Sequence, residues 1–410
     1  MHILFLTDNF PPETNAPASR TYEHAKRWVA AGHRVTVVTG APNFPSGKLH
    51  AGYRNAFWKR EVLDGIDVVR VWTYITANVG FLRRTLDYIS FMMAAILASP
   101  FLPRPDVIVA TSPQFFTPCA AWVVSKLRRR PFVFELRDLW PDSIIAVGAM
   151  QETWVIGWLR KLEYFLYRRA ARIVSVSPSF KRILITNGID PEKIAVVPNG
   201  VELTVYQPGP KPETLAKRLN VEGKFVAAYV GTVGMAHGIG TLLNAAKGLL
   251  HRQDIVFVVV GTGAEAADLA DKSRRDGLTN VIFVGAVSKA EVREYWRLCD
   301  VALVLLRDAP LFRHVIPSKI FEAMGMARPI LLGVKGESER IILESGAGIT
   351  IPPEDAPALA LAVGELAGNR DRCIGMGTKG RQYVEQRFSR EQLATQMLGE
   401  LARAAGTSNG

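Results

Sequence analysis

The sequence predicts an α/β protein of two doubly wound, Rossmann-like domains, and three observations support this fold class. First, 410 residues are too many for one ordinary hydrophobic core and suit two domains. Second, short apolar runs alternate with helical segments, which is typical of parallel sheets covered on both faces. Third, this alternation lapses in the proline-rich stretch 201–213 and then starts again. We therefore expect domains at residues 1–200 and 201–385 that face each other across an interdomain cleft.

The first half opens with a βαβ unit. An apolar strand at 2–7 leads into a turn-rich loop at 8–19, and a helix follows at about 20–31. Ligands of such sheets bind beyond the carboxyl ends of the strands, so the loop is a candidate binding segment. Further strands are expected at 35–39, 68–71, 106–110, 132–135, 173–176 and 195–197, and further helices at 86–99, 115–126 and 154–171.

The second half repeats this pattern with its own start. A strand at 224–230 ends in a glycine-bearing turn at 231–234, and a helix follows at 240–250. The C-terminal segment 386–410 is expected to carry a helix that packs back on the first domain and ends in a disordered tail. Further strands are predicted at 255–260, 281–284, 301–305 and 330–332, and further helices at 265–276, 291–298, 337–344, 357–366 and 372–401.

The positive charge of the chain lies in its first half. The net charge is +12, and residues 1–200 hold 25 Lys and Arg against 15 Asp and Glu, which gives 25 − 15 = +10 for that half. Attraction of one domain to an acidic partner follows, and both nucleic acid and an anionic membrane surface qualify. No recognition helix or aromatic-basic stacking motif supports nucleic acid, so the membrane surface is the expected partner.

Cysteine and histidine usage predicts a cytoplasmic protein without a metal. The three cysteines are far apart and lie in apolar contexts, so we expect them to be reduced and buried. No basic segment precedes the first strand, so no signal peptide is expected. Neither a D-x-D triplet nor a histidine cluster is present in the sequence, and we predict neither a metal nor another cofactor.

The stretch 314–324 is the strongest candidate site. The residue before Pro317 is driven into extended conformation, and Ser318 is then placed to cap a helix that runs to about residue 327. Such a helix start binds anions, so a diphosphate would dock there beside Lys319. Glu322 would accept hydrogen bonds from a ribose diol. The alternative is structural, because the helix dipole alone favours Glu in a first turn.

The glycine turn at 231–234 would let backbone N–H groups approach a phosphate. The alternative is that a sharp strand-to-helix turn simply requires glycine. The turn lacks the full dinucleotide fingerprint, and the chain has no P-loop motif, so NAD-dependent and P-loop enzymes are disfavoured.

Two charged segments of the first half end predicted strands. Arg20 stands at a predicted helix start, where the helix dipole disfavours a cation, so we consider it a phosphate ligand or a surface residue. Glu135 and Arg137 alternate onto one face at the end of the strand 132–135, with Asp138 near its mouth. An ion pair is the structural alternative to a functional cluster.

An uncharged stretch at 88–103 is flanked by arginines. A helix of that length covers about 24 Å, which is too short to span a bilayer. Two alternatives stay open: an interfacial helix on an anionic membrane, together with Arg83, Arg84, the arginines at 128–130 and the aromatic, basic segment 154–172, or a plain buried helix.

Several motifs together resemble the family-4 retaining glycosyltransferases of the GT-B fold. They are DNFPP at 8–12, AGHRVTV at 31–37, VPNGV at 197–201, GTVGMAHG at 231–238 and PSKIFEA at 317–323. Within that family, PNFPSG at 42–47 and DLWPDS at 138–143 are similar to the bacterial branch that builds O-antigen, capsule or exopolysaccharide, including N-acetyl-L-fucosamine transferases.

The resemblance implies a nucleotide sugar held by the second domain and metal-independent transfer that retains the anomeric configuration. The chain departs from the family where a carboxylate is replaced by His314, where an Arg and a Lys correspond to Thr232 and His237, and where a His corresponds to Arg137. The resulting candidates are Asp138, Arg137, His237 and His314 for catalysis, Glu322, Lys319, Ser318, Gly231, Thr232, Gly234 and Arg313 for the donor, and Asn15 and Arg20 for the acceptor or a phosphate.

The sequence therefore predicts a cytoplasmic glycosyltransferase, peripheral on the inner face of the plasma membrane. It would move a sugar, expected to be N-acetylated and UDP-linked, to a polyprenyl-diphosphate-linked saccharide acceptor. The alternatives are a GT-B-type UDP-sugar epimerase or hydrolase and, on charge alone, a nucleic-acid-binding protein.

Overall fold

The structure is a computed structural model that describes residues 1–13, 15–44, 47–76, 81–112, 114–146 and 152–406. The chain divides into two units, one formed by Met1–Pro198 with Arg390–Gly410 and the other by Asn199–Ser389. Each unit is built on its own mainly parallel sheet. The prediction of two Rossmann-like α/β domains is confirmed.

Within the described residues, the first unit has a sheet of eight strands: β1 (His2–Leu6), β2 (Arg34–Thr39), β3 (Trp58–Leu63), β4 (Ile66–Val71), β5 (Val107–Thr111), β6 (Phe132–Leu136), β7 (Arg172–Ser175) and β8 (Ile194–Val196). Their order across the sheet is β3-β4-β2-β1-β5-β6-β7-β8. Every pair is parallel except the edge pair of β3 and β4. The central strands are buried apolar runs because helices cover both faces.

The helices that cover this sheet are α1 (Ala16–Ala30), α2 (Phe81–Ala98), α3 (Phe116–Arg128), α4 (Asp142–Ala146), α5 (Trp154–Arg169) and α6 (Pro178–Thr186). Helix α1 begins four residues before its predicted start, because the Asn15 side chain accepts from the Ala18 N–H at 3.0 Å and caps it. Arg20 therefore does not stand at the helix start, as predicted, but in the body of α1, where it is buried.

Within the described residues, the second unit has a sheet of six parallel strands: β9 (Phe225–Val230), β10 (Ile255–Val260), β11 (Val281–Gly285), β12 (Val301–Leu305), β13 (Ile330–Gly333) and β14 (Gly348–Thr350). Their order is β11-β10-β9-β12-β13-β14. The helices are α7 (Glu213–Arg218), α8 (Ile239–Gly248), α9 (Ala266–Arg275), α10 (Lys289–Leu298), α11 (Lys319–Gly325), α12 (Glu337–Ser345), α13 (Ala356–Ala367) and α14 (Arg370–Arg387).

The last helix, α15 (Arg390–Ala405), belongs to the first unit. The Trp28 indole N–H donates to the Ala394 carbonyl at 2.9 Å, and the His24 ring contacts the Met397 sulfur at 3.3 Å. The predicted return of the C-terminal helix to the first domain is confirmed.

The prediction of one continuous helix over 372–401 is wrong. Helix α14 ends at Arg387, and a short extended segment precedes α15. Val201 forms a parallel bridge with Ser389, and its N–H donates to the Phe388 carbonyl at 3.0 Å. These backbone bonds to a distant segment interrupt the helix, and they are invisible in the local sequence pattern.

Candidate functional site

The glycine turn and the start of α11 lie together in the second unit. The Lys319 ammonium lies 3.7 Å from the centroid of the Tyr229 ring, and a Cβ placed on Gly231 would be 3.0 Å from it. Its Nζ atom is buried and has no hydrogen-bond partner among the described residues. Burial lowers the pKa of Lys319 to about 7, although Glu322 opposes this shift. A buried ammonium without a hydrogen-bond acceptor is costly unless an anion joins it.

Backbone packing explains the glycines around this lysine. Gly231 has φ of 141°, and its N–H donates to the Val260 carbonyl at 2.9 Å. A Cβ on Gly261 would overlap the Gly231 carbonyl, so the turns that end β9 and β10 touch through their backbones. Thr232 is exposed, its carbonyl accepts from the Tyr229 hydroxyl at 2.6 Å, and Gly234 is buried.

His237 completes the surroundings of Tyr229. Its Nδ1 lies 3.3 Å from the Gly234 carbonyl, and its ring meets the Tyr229 ring edge-on at 6.2 Å. Burial, and then the charge of Lys319, lower the pKa of His237 to about 4. The imidazole is therefore neutral near pH 7. It can form a hydrogen bond near pH 7, but it does not replace the phosphate-binding cation that the family has at this position.

Glu322 is held by two aromatic side chains. The Trp296 indole N–H donates to Oε2 at 3.3 Å, and Tyr206 forms a second side-chain hydrogen bond with the carboxyl group. Burial raises the pKa of Glu322, while these two bonds and the charges of Lys319 and Lys289 oppose the shift. The carboxyl group is thereby fixed in orientation and lies in the electrostatic field of the Lys319 ammonium.

The segment before α11 differs from its prediction. Helix α11 ends at Gly325, and Ser318 stands at its N-cap position without a capping side-chain hydrogen bond, so the predicted cap is wrong. The reason is conformational: Ser318 has helical φ and ψ of −60° and −25°, whereas a capping residue is extended. Arg313 is exposed and pairs with Asp308 at 3.6 Å, and His314 ends the 3-10 turn Pro310–His314.

In the first unit, Arg20 is occupied by protein groups. Its Nε lies 2.7 Å from Glu135 Oε1 in a buried ion pair, and its two terminal nitrogens donate to the carbonyls of Pro198 and Val197 at 2.7 and 2.9 Å. It therefore ties α1 and the segment after β8 to the end of β6. Arg20 is therefore not a surface residue, and protein groups occupy the three nitrogens that a phosphate would need.

Arg137 is a buried cation with unused donors. Its Nε and Nη1 atoms are buried and have no hydrogen-bond partner among the described residues. Burial lowers its pKa to about 10, and Glu135 opposes the shift. The backbone N–H groups of Arg137 and Asp138 donate to Ser112 Oγ at 2.8 and 3.3 Å, which joins the ends of β5 and β6. Burial raises the pKa of Asp138, against a hydrogen bond from Ser143.

A cavity of about 270 Å³, which we call the acid cavity, lies beside these strand ends. Its lining includes Asp8 after β1, Asn15, Ser112 after β5, and Asp87 on α2. Burial, and then Asp87, raise the pKa of Asp8 well above its usual value, and burial raises the pKa of Asp87 to about 7. Neither carboxyl group has a hydrogen-bond partner among the described residues. Two acids open to a cavity suit the hydroxyl groups of a sugar.

Sequence reasoning included Asp8 only as part of the candidate loop 8–19, and it missed Asp87. Asp87 lies in the second turn of the apolar helix α2, where nothing local marks it. Glu13 also lines the cavity, yet its carboxylate accepts the N–H groups of Phe10, Asn43 and Phe44 at 3.2, 2.9 and 2.8 Å. It holds the loops around the cavity. Asn15 donates to Asn9 Oδ1 at 2.8 Å and caps α1.

The described residues hold no group of three or more His, Cys, Asp or Glu side chains arranged to bind a metal ion. The described helices also include none with both the length and the apolarity needed to cross a membrane.

Two family models match the chain. Residues 15–200 match the glycosyl transferase 4-like domain, and residues 224–369 match the glycosyl transferases group 1 domain. The chain is 23% identical to a putative colanic acid biosynthesis glycosyl transferase, WcaI of Escherichia coli K12, over 98% of this chain and 100% of that protein. It is 28% identical to the probable glycosyltransferase WbjE of Pseudomonas aeruginosa over 63% of this chain and 64% of that protein.

Solved structures share the fold. The structure of HepE from Anabaena in complex with UDP aligns with a TM-score of 0.72 at 18% identity, over 98% of this chain and 100% of that one. Sucrose-phosphate synthase from Thermosynechococcus elongatus aligns with a TM-score of 0.78 at 17% identity, over the full length of both chains.

Proposed function

The chain is a glycosyltransferase of the GT-B fold with a 4-like and a group 1 domain, and from that premise we propose a specific reaction. The enzyme transfers an N-acetylated sugar from a UDP-linked donor to a polyprenyl-diphosphate-linked saccharide. Transfer retains the anomeric configuration, needs no metal, and serves surface polysaccharide synthesis on the inner face of the plasma membrane. The observation that carries this proposal is the buried Lys319 ammonium beside the Gly231 turn, which contacts the Tyr229 ring but has no hydrogen-bond partner among the described residues.

The second unit takes the donor. A diphosphate supplies the anionic acceptors that the Lys319 ammonium lacks, and the Gly231 turn leaves room for phosphate oxygens to approach. Because an anion stabilises the charged form of the lysine, donor binding raises the pKa of Lys319 above its value of about 7. Glu322, held by Trp296 and Tyr206, binds the ribose diol.

Catalysis in this proposal is mainly charge stabilisation. The bond from the anomeric carbon to the donor phosphate oxygen breaks, and the Lys319 ammonium stabilises the charge that develops on the leaving diphosphate. The acceptor hydroxyl attacks from the same face, and its proton passes to the departing phosphate oxygen. Neutral His237 offers a hydrogen bond to the reacting groups without adding charge.

The first unit takes the acceptor. The acid cavity offers Asp8 and Asp87 to sugar hydroxyls, and the unused donors of Arg137 lie at the neighbouring strand end, where an anionic part of the acceptor would find them. The name of WcaI, a putative colanic acid biosynthesis glycosyl transferase, supports a place in polysaccharide synthesis, and the UDP complex of HepE supports a UDP-linked donor.

Calorimetric titration with UDP and with a panel of UDP-sugars tests the donor assignment. We expect UDP to bind the wild-type protein and the Lys247→Ala variant equally, since Lys247 is exposed on α8, and to bind Lys319→Ala at least about tenfold more weakly. Equal binding by Lys319→Ala would contradict the donor site. Proton NMR of the product tests retention, and an inverted anomer would contradict that part of the proposal.

A further inference from the structure

Helix α2 exposes an apolar stripe between Leu86 and Phe101. Leu86 and Met93 are each about half exposed, Leu97 is 66% exposed, and Phe101, in the 3-10 turn after the helix, is 80% exposed. Their spacing places them on one face of the helix. The opposite face is packed, with Phe91, Ala95 and Ala98 buried against the unit. Single exposed apolar side chains are ordinary, but several on one face of a helix form a candidate interaction surface.

The stripe continues onto the edge strand β3. The ring of Trp58 meets the ring of Phe101 edge-on at 6.5 Å, and Val62, on the same face of the strand, is 73% exposed. Beside them, Phe57 stacks on Trp72 at 6.1 Å with 85% of its surface exposed. The surface of α2 and β3 is therefore contiguous and carries aromatic rings, which favour the boundary between water and lipid.

Charge distinguishes the possible occupants of this surface. Arg83 and Arg104 are exposed at its two ends, and the stretch 88–103 between them has no charged residue. Arg128 donates to the carbonyls of Pro100 and Leu102 at 3.3 and 2.8 Å, so the basic end of α3 lies beside Phe101. Cations at both ends of an apolar stripe match an anionic bilayer, whereas a second copy of the chain would bring the same cations against each other.

We propose that α2 lies flat in the interface of an anionic membrane, with the stripe Leu86, Met93, Leu97 and Phe101 inserted and with Trp58 and the flanking arginines at the surface. This inference rests on the proposed function, because a lipid-linked acceptor requires the enzyme to meet a bilayer. The inner side of α2 contributes Arg84, Asp87 and Tyr88 to the acid cavity. Docking of the outer side thus brings the acceptor cavity to the lipid surface.

The experiment compares two matched triple variants by co-sedimentation with phosphatidylglycerol vesicles. One is Met93→Ser/Leu97→Ser/Phe101→Ser. The control is Leu343→Ser/Leu361→Ser/Ile374→Ser, which removes equally exposed apolar side chains from the second unit. We expect the stripe variant to partition at least about tenfold more weakly than wild type, and the control to match wild type. Phosphatidylcholine vesicles should bind all three proteins weakly, because the arginines need anionic lipid.

Equal partitioning of the two triple variants would overturn the inference. The inference would also be overturned if the stripe variant had a lower mass than the wild type in sedimentation velocity and bound vesicles equally well. That result would indicate self-association through the stripe. Thermal unfolding checks that each variant folds. UDP titration separates the two proposals. Loss of vesicle binding by the stripe variant with intact UDP binding supports the membrane surface. Absence of UDP binding by the wild type contradicts the proposed function and not the membrane docking.

Discussion

The two candidate sites carry opposite electrostatic deficits. In the second unit, the Lys319 ammonium is buried without a hydrogen-bond partner among the described residues, and burial lowers its pKa to about 7. In the first unit, Asp8 and Asp87 share a cavity, and burial raises the pKa of both carboxyl groups, that of Asp87 to about 7. Each site therefore lowers the free energy of unfolding, because the fold shifts the pKa values of these groups away from their usual values.

This difference is the reason why we propose a different substrate for each unit. A phosphate would satisfy the Lys319 ammonium, which has no hydrogen-bond partner among the described residues, and carboxyl groups with raised pKa values suit hydroxyl groups, which both donate and accept. The proposal therefore gives the diphosphate donor to the second unit and an uncharged sugar of the acceptor to the acid cavity.

Removal of the charged groups of the donor site should have the largest effect. We expect Lys319→Ala and Glu322→Gln each to reduce kcat/KM for UDP-sugar turnover at least about 100-fold, because each loses a charged contact in a buried site. The fold should persist in circular dichroism spectra. The control is Lys247→Ala, at an exposed position. Wild-type turnover in both site variants would contradict a donor site in the second unit.

Neutralising the acid cavity should affect the acceptor alone. We expect Asp87→Asn to raise the acceptor KM about tenfold with synthetic polyprenyl-diphosphate glycosides, since an amide replaces one acceptor of sugar hydroxyl bonds. UDP affinity should not change. Glu192→Gln, at an exposed position of the same unit, serves as the control. An equal loss of UDP affinity in Asp87→Asn would contradict the proposal that the two units bind different substrates.

Donor affinity should depend on pH through Lys319. The free lysine, with a pKa of about 7, is mostly neutral at pH 8.5, and the bound donor needs it charged, so binding takes up a proton. We expect the affinity for UDP-N-acetylglucosamine to fall about tenfold from pH 7 to pH 8.5. The Lys319→Ala variant should lose this dependence. A flat profile in the wild type would contradict the low pKa or its role.

The smallest expected effect concerns stability. The folded state raises the pKa of Asp8, so its favourable protonated form is present at low pH and is lost as the pH rises through the folded value. We expect Asp8→Asn to be more stable than wild type by about 1 kcal/mol at pH 8 and by less at pH 5. Urea unfolding at both pH values measures this, and a destabilised variant at pH 8 would indicate a structural need for the charge.

The features that could be predicted from the sequence are those with a local signal. The turn from Gly231 and the residues Lys319 and Glu322 lie within short motifs, and the structure brings the Lys319 ammonium against Gly231 and into the field of Glu322. The edge strand β3 gave no such signal, because its three consecutive charged residues, Lys59, Arg60 and Glu61, break the apolar-polar alternation expected of a strand.

Long-range partners explain the remaining differences. Arg20 pairs with Glu135, which lies 115 positions away, and with carbonyls that are farther still, so no pattern around Arg20 reveals that it is structural. Asp87 becomes a cavity residue only because α2 packs beside the ends of β1 and β5. Such juxtapositions depend on tertiary packing and not on propensity.

The most direct test is the pKa of the Lys319 ammonium itself, measured by NMR of protein labelled with ¹³C at lysine Cε. The Lys319→Ala spectrum assigns the resonance. We predict a pKa of about 7 for the free protein and a rise of at least about one unit at saturating UDP. A resonance whose pKa is the same with and without bound UDP would contradict a diphosphate at Lys319.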